Sequence, residues 1–398
     1  MPRLLENKHI VIGVSGSIAC HKAVDLASKL TQEGALIDVV MTPESTHFVG
    51  PTAFQSITHR PVATNLFNPL STTSMEHIAL AQRADAILVA PATANTIAKL
   101  ALGLSDDMLS STVLASSAPV IVCPAMDGHM YQNAATQENI KKLEATGKTM
   151  AGPRKGHLAS GMTGPGRMLE VSEIIGYLKL ALGRSGDLSG RKILITAGCT
   201  REAIDPVRFI SNHSSGKMGY AIAEAARDRG ANTTIIAGPN SLPEPVGVVV
   251  TKIVTAKEML EATVEKIRNS DVLIMAAAVA DWSPSTFSSQ KLKKGSAYWE
   301  LKLKKTTDIL TQVRNEQVIK VGFAAESENL FENATTKLKN KNLDLIAAND
   351  ITAEGSGFES DTNRVFIIDS SGIVDDLGTL VKYEVGWHIL SRVSKLLS

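Results

Sequence analysis

The sequence opens on Lys8–Val14, KHIVIGV, an apolar, β-branched run without polar alternation, the pattern of a strand buried on both faces of a parallel sheet. Ala19, Ala23, Leu26, Ala27 and Leu30 then recur at helical spacing, and Gly34 stands where a helix C-terminal cap is expected before the strand ALIDVVMT. The grammar repeats through a helix near Glu76–Arg83, the strand AILVAPAT, a helix after Asn95, the strand PVIVCPAM and the helix SEIIGYLKLAL. The stretch GRSGDLSG is small, polar and glycine-rich, as domain borders are, and places the border near Asp187. Beyond it the pattern restarts with RKILITAG, a long polar loop, the helix KMGYAIAEAARDRG capped at Gly230, and the strand ANTTIIAGP. VVVTKIVT, DVLIMAAAV, VIKVGFAAE, LDLIAAND and NRVFIID read as further strands, closed by a helix near Gly378–Leu397. Two doubly wound, Rossmann-like α/β domains with mostly parallel sheets are therefore expected, over 1–186 and 187–398.

Composition narrows what such a chain can do. Of 398 residues 44% are hydrophobic and 20% charged, which excludes disorder, collagen and coiled coil. Forty-one Lys and Arg against forty Asp and Glu leave +1, too little for a field that holds nucleic acid or an anionic membrane. Cys20, Cys123 and Cys199 are too scattered for a disulfide framework or a zinc site, and no apolar run is long enough for a signal peptide or a membrane span. A cytoplasmic protein is expected, with small molecules as partners.

Ligands of doubly wound sheets bind at the carboxyl ends of strands, so chemistry is sought in the loops there. Gly13, Ser15, Gly16 and Ser17 combine glycines, hydroxyls and a helix start, a combination that suits a phosphate monoester. GxGxxG is absent and no acidic residue ends the second strand, where Met41 and Thr42 stand, so a mononucleotide such as FMN is favoured over a dinucleotide and an NAD oxidoreductase loses ground. APATANTIAK leaves room for a planar ring beside Thr93, Ala94 and Asn95. A single histidine at a helix start, His77, is more often structural than catalytic. GHLASGMTGPGRM reads as a mobile flap. In the second half a helix opening with SSGK, beside Arg201, Arg208 and Lys217, suits an anionic, phosphorylated guest, although the Walker A spacing fails. AAAVADW offers Ala276, Ala277 and Ala278 to a base and Asp281 to ribose or magnesium.

These motifs resemble a known family. GVSGSIA, EHIAL, APATANTIAK, PAMDGHMY and GPGRM in the first half, with ITAGCTREAIDPVRFISNHSSGKMG, AAAVADW, KLKK, VGFAAE and NLDLIAAND in the second, are similar to the bifunctional coenzyme A biosynthesis proteins, phosphopantothenoylcysteine decarboxylase fused to phosphopantothenate–cysteine ligase. The resemblance covers nearly the whole chain. It implies a flavodoxin-like, FMN-binding decarboxylase over 1–186 and a nucleotide-dependent, Mg2+-assisted ligase over 187–398, forming a homo-oligomer. Phosphopantothenate would be activated by a nucleoside triphosphate, CTP in most bacterial-type members, and cysteine would displace the nucleotide. Flavin would then take electrons from the product thiol, so that carbon dioxide can leave, and return them.

By position, the resemblance assigns FMN contacts to Ser15, Gly16, Ser17, Thr42, Thr93, Ala94 and Asn95, and decarboxylase chemistry to His77. It assigns acyl-nucleotide handling to Asn212, the second half-reaction to Lys291, and nucleotide contacts to Ala276–Ala278, Asp281, Thr307, Asp308, Ile309, Leu310, Phe323, Lys337 and Lys341. Two positions depart from the family pattern. Asp127 replaces the asparagine that binds the substrate carboxylate, and Ser160 replaces the flap cysteine that donates a proton. A hydroxyl is a far weaker acid than a thiol, and an ionised aspartate repels a carboxylate. A ligase whose flavin domain no longer decarboxylates is therefore a rival reading. A flavin-binding regulatory protein is another, weakened by the intact ligase residues.

Overall fold

The computed structural model describes residues 4–67, 75–293, 299–314, 316–326, 328–350, 357, 360–372 and 374–397. The chain forms two compact units, Met1–Gly183 and Arg184–Ser398.

The first unit runs β1 (His9–Val14), α1 (Cys20–Gln32), β2 (Leu36–Met41), α2 (Pro51–Thr58), β3 (Val62–Ala63), α3 (Glu76–Arg83), β4 (Ala86–Ala92), α4 (Ala94–Leu102), α5 (Met108–Ala115), β5 (Val120–Pro124), α6 (Gly128–Gln132), α7 (Ala134–Ala145), β6 (Thr149–Met150), β7 (Arg154–His157), β8 (Thr163–Arg167) and α8 (Val171–Gly183). Six strands make one parallel sheet in the order β3-β2-β1-β4-β5-β6. Helices cover both faces, which is why the central strands are apolar at all but isolated positions such as His9 and Asp38. Ile10 and Ile12 pack with Leu26 and Leu30 of α1 and Ile174 of α8. Val11 and Val89 face the other way, against Ile97 and Leu109. Strand order reverses between β1 and β4, and at such a switch the loops diverge to leave a crevice. The glycine-rich segment expected to be a mobile flap forms an antiparallel hairpin, β7 with β8.

The second unit runs β9 (Lys192–Ala197), β10 (Arg201–Ala203), β11 (Phe209–Ser211), α9 (Lys217–Asp228), β12 (Asn232–Ala237), β13 (Val249–Lys252), α10 (Ala256–Ile267), β14 (Val272–Met275), β15 (Trp282–Pro284), β16 (Leu303–Lys305), α11 (Ile309–Gln312), β17 (Ile319–Glu326), α12 (Leu330–Lys341), β18 (Leu345–Asp350), β19 (Thr362–Asp369), β20 (Val374–Val381) and α13 (Lys382–Leu397). Eight strands lie in the order β13-β12-β9-β14-β17-β18-β19-β20, parallel as far as β18 and antiparallel for the last two pairings. The closing helix expected near Gly378 begins at Lys382 instead. Residues 374–381 form the edge strand β20, whose exposure largely alternates and which bends through Gly378 at φ +65°. Among the described residues no helix is long and apolar enough to cross a membrane.

Candidate functional site

In the first unit, β1 and β4 end side by side and their loops are sewn together by one buried serine. Ser15 Oγ donates to the Pro91 carbonyl at 2.8 Å and accepts from the Thr93 amide at 3.0 Å. The hydroxyl has a single proton, and it is committed to protein. Ser15 therefore shapes the crevice. Gly13 and Gly16 are there for close packing: a Cβ would fall 2.2 Å from Leu109 Cδ1 at Gly13 and 2.6 Å from Glu44 Cβ at Gly16. Ser17 Oγ accepts from the Ala19 amide at 3.3 Å. Thr93 caps α4, its Oγ1 accepting from the Thr96 amide, so that the helix starts at Ala94, with Asn95 exposed in its first turn.

Among the described residues three side chains of this unit carry buried polar atoms without a hydrogen-bond partner: Nδ1 of His9 at the first residue of β1, away from the carboxyl edge, Oγ1 of Thr42 at the end of β2, and Nδ1 of His77 in α3. A buried unsatisfied polar atom costs about 1–3 kcal/mol, so each marks a place where a bound group would be stabilising.

The hairpin closes on the loop that follows β5. The Met126 amide donates to Gly166 O at 3.0 Å, and a Cβ on Gly166, at φ +136°, would sit 2.2 Å from Met126 O. At the hairpin's turn Ser160 Oγ donates to Asp127 Oδ2 at 2.6 Å, while Asp127 Oδ1 caps α6 by accepting from the His129 amide at 2.9 Å. The hydrogen bond from Ser160, followed by that from the His129 amide, holds the Asp127 carboxyl below its ordinary value. No thiol stands in for the serine, because all three cysteines are buried, and burial pushes Cys123 up to about 12.

The second unit holds a cavity of about 560 Å3 at the carboxyl edge of its sheet. It is built by extending β14. The Ala278 amide donates to Gly198 O at 2.8 Å, the Ala277 amide to Thr196 Oγ1 at 3.2 Å and the Ala280 amide to Thr200 Oγ1 at 3.0 Å, which lays Ala276–Ala278 along the end of β9 as a smooth wall. Asn212 Nδ2 donates to the carbonyls of Ala278 and Val279 at 3.2 and 3.3 Å. Its donor is thus occupied, and the amide oxygen is the atom left for a ligand. Thr306 fixes the next turn, donating from its amide to Asp281 O and from Oγ1 to Ala280 O.

The cavity wall collects Asn212, Ala276, Ala277, Ala278, Asp281, Thr307, Asp308, Ile309, Leu310, Phe323 and Lys337. Lys337 Nζ donates to Phe323 O at 2.7 Å. Lys341 stands behind the wall and reaches it through Asp308 Oδ2 at 2.6 Å. Burial alone would raise the Asp308 carboxyl, but Lys341 and the Thr311 amide outweigh it and leave the group below its ordinary value. Lys291 is exposed and is not part of the wall. Its neighbour Leu292 is moored, with the amide donating to Asp205 Oδ2 and the carbonyl accepting from Arg208. Arg208 also holds Asp205 well below the usual carboxylate range. Arg201, the other arginine of the long loop, lies over the Phe209 ring at 4.7 Å. Among the described residues no cluster of three or more His, Cys, Asp or Glu could hold a metal ion alone; the wall carries two exposed carboxylates, Asp308, which pairs with Lys341, and Asp281.

Sequence reasoning missed Asn349, Asn363 and Lys382, which complete the wall from β18, β19 and the start of α13. The available signal was a polar residue breaking a buried apolar strand, as Asn363, 4% exposed, and Asn349, 7% exposed, both do.

Residues 1–182 match the Flavoprotein family, and residues 188–397 match the DNA/pantothenate metabolism flavoprotein C-terminal domain. The chain is 45% identical over 373 residues to the coenzyme A biosynthesis bifunctional protein CoaBC of Vibrio vulnificus (strain CMCP6), covering 92% of this chain and 93% of the relative. It is 44% identical over 399 residues to that of Bacillus subtilis (strain 168), covering 99% and 98%. To that of Escherichia coli (strain K12) it is 42% identical over 374 residues, covering 92% of each. With two matched domains in this order and relatives aligned over nearly their whole length, the chain belongs to the family of coenzyme A biosynthesis bifunctional proteins.

Proposed function

We propose that residues 187–398 ligate cysteine to 4′-phosphopantothenate with CTP as the activating nucleotide, and that residues 1–186 decarboxylate the product to 4′-phosphopantetheine with FMN. The observation that carries the reading is the second unit's cavity, where a flat alanine wall, an amide oxygen, a carboxylate and lysine-braced helices meet at one sheet edge. A carboxylate forms no amide unaided because oxide is a poor leaving group, so the acyl group must first be joined to a nucleotide. The alanines give a base a surface, Lys337 and the Lys341–Asp308 pair brace the wall beside it, and Asn212 turns its amide oxygen to the acyl nucleotide. Asp281 suits Mg2+, which typically binds through one or two carboxylates and the substrate's own phosphates. Lys291, outside the wall but on a moored loop, serves the second half-reaction, in which cysteine displaces CMP.

In the first unit the unsatisfied Thr42 Oγ1 and His77 Nδ1 fit a bound flavin and its substrate, and Ser15, Gly16, Ser17 and Thr93–Asn95 shape the crevice for it. FMN supplies a reversible two-electron sink that the thiol substrate lacks. His77 keeps an imidazole nitrogen available to the reacting thiol. The protein works in the cytoplasm as a homo-oligomer, on small molecules, without nucleic acid or membrane.

A second reading, a ligase carrying a silent flavin domain, is favoured by one contact: the Ser160 hydroxyl donates its hydrogen bond to Asp127. Mass spectrometry of products from phosphopantothenate, cysteine, Mg2+ and CTP, with ATP in parallel, separates the two. Phosphopantetheine establishes both halves, accumulated phosphopantothenoylcysteine establishes the ligase alone, and no product with either nucleotide refutes the proposal. K291Q should still form acyl nucleotide yet stop amide formation, and H77N should abolish decarboxylation while ligation persists.

A further inference from the structure

Lys22 stands in the first turn of α1, the helix that opens after the loop Ser15–Ser17, and its side chain is only 15% exposed. A cation in a first turn opposes the helix dipole, and an ammonium so far withdrawn from water must either serve an anionic ligand or be paired within the protein. Its contacts decide between the two. Nζ donates to the carbonyl oxygens of Met168 at 3.2 Å and Leu169 at 3.4 Å, and pairs with Glu170 Oε1 at 3.0 Å. An ammonium has three hydrogens, and acceptors on three consecutive residues take them. Lys22 has none left for a flavin phosphate at the start of its own helix.

Those three residues are the root of the hairpin, between the end of β8 at Arg167 and the start of α8 at Val171. Arg167 lies opposite Arg154 in the hairpin register, a like-charge pair that would push the strands apart. Each arginine is answered by a carboxylate, Arg167 by Glu170 at 3.0 Å and Arg154 by Glu173 at 2.9 Å. Glu173 Oε2 also accepts from the Glu170 amide at 3.0 Å, which fixes the two glutamates within one turn. Lys22 foremost, with Arg167 behind it, holds the Glu170 carboxyl below its ordinary value against the opposing effect of burial. The hairpin is thus tied to the start of α8 through its two arginines and to α1 through Lys22. Beyond β7 and β8, its turn carries Ser160 to Asp127.

We propose that Lys22 is a positioning residue for decarboxylation, a strut that joins the helix starting at the flavin crevice to the root of the hairpin and so sets where the hairpin stands relative to that crevice. The inference rests on the decarboxylase reading above. A buried ion pair adds little stability over apolar packing of the same volume, so what the strut contributes is geometry.

The test compares wild type, K22M and K22R as full-length chains; methionine keeps the apolar stem and removes the charge. In the flavin-free protein, amide exchange over residues 154–167 should quicken in K22M and slow again in K22R. Exchange within α1 and the Kd for FMN, read by fluorescence, should stay within about twofold of wild type. With FMN bound and 4′-phosphopantothenoylcysteine supplied, KM should rise about tenfold in K22M, the worth of one charge-assisted hydrogen bond, with ligation unchanged and K22R recovering part of the loss. Hairpin exchange and KM both unmoved in K22M overturn the proposal. So does a loss of FMN affinity in step with KM, which would make Lys22 a seat for α1 or a phosphate ligand. A wild-type chain that binds FMN and releases no carbon dioxide refutes the decarboxylase reading instead, and the exchange comparison, which needs no turnover, still judges the strut.

Discussion

Ser15 offers the sharpest test of how the flavin crevice is built. Its hydroxyl donates to Pro91 O and accepts from the Thr93 amide, both inside the joint between β1 and β4. Ser15→Ala removes one neutral hydrogen bond, worth about 1 kcal/mol, and orphans the Thr93 amide at about 1–3 kcal/mol. Pro91 O keeps the Ser15 backbone amide at 3.2 Å, so only one group is stranded. The sum is about 3 kcal/mol, which for a domain of this size lowers the unfolding transition by roughly 6–12 °C. Calorimetry on the flavin-free full-length chain measures it, with FMN titration at a temperature where the variant is folded. The expected result is a lowered transition for the first domain and little change in FMN affinity. The opposite outcome, an unmoved transition with affinity down about tenfold, equal to 1.4 kcal/mol, would mean that the hydroxyl serves phosphate rather than the joint, and would refute the assignment.

Three further perturbations probe other contacts. Asp127→Asn and Ser160→Ala should raise amide exchange across the Gly156–Gly164 turn to similar extents, and unequal effects would break the pairing. Because the folded Asp127 carboxyl lies below its ordinary value, its contribution to hairpin docking is full above pH ~4 and is lost as pH falls through the depressed value, so exchange should rise only in acid. Lys341→Met frees Asp308 from its 2.6 Å partner and should raise KM for the nucleotide about tenfold while leaving phosphopantothenate alone, and equal KM values would remove Lys341 from the site. Gly166→Ala combines φ +136° with a Cβ 2.2 Å from Met126 O, and should destabilise the first domain by more than ~2 kcal/mol by chemical denaturation; a neutral result would show that the hairpin can shift.

What the sequence disclosed follows from what each element touches. β1, β4 and β5 are covered on both faces, so burial wrote itself into every position and their limits were legible. β20 pairs with one strand and packs against α13, with no apolar run of its own to mark it as a strand, and the expected helix begins four residues too early. Glycines and hydroxyls after β1 suggested ligand contact by residue type. Gly13, Gly16 and Ser15 also serve packing and the joint, roles set by Leu109, Glu44 and Pro91, which local pattern could not supply. Lys382 is the extreme case: its meaning comes from strands that return antiparallel and deliver it to a cavity begun at Ser211, and no window of sequence holds both.

The two departures from the family pattern make the same point for chemistry. Taken singly, Asp127 is a repulsive substitution and Ser160 a weak acid. Folded, they lie 33 residues apart in sequence and 2.6 Å apart in space, each engaging the other's altered group. A serine whose hydrogen is committed to an ionised carboxylate is a poorer donor still, and Asp127, held below its ordinary value, has no proton of its own to pass on, so the pair by itself supplies no acid to a substrate. Ser160→Cys in the full chain therefore discriminates. A thiol at this position ionises far more readily, and the variant should decarboxylate phosphopantothenoylcysteine faster than wild type while ligation is unchanged. Equal rates in the two proteins, with carbon dioxide released by both, would place proton delivery elsewhere and leave the Asp127–Ser160 contact with the hairpin alone.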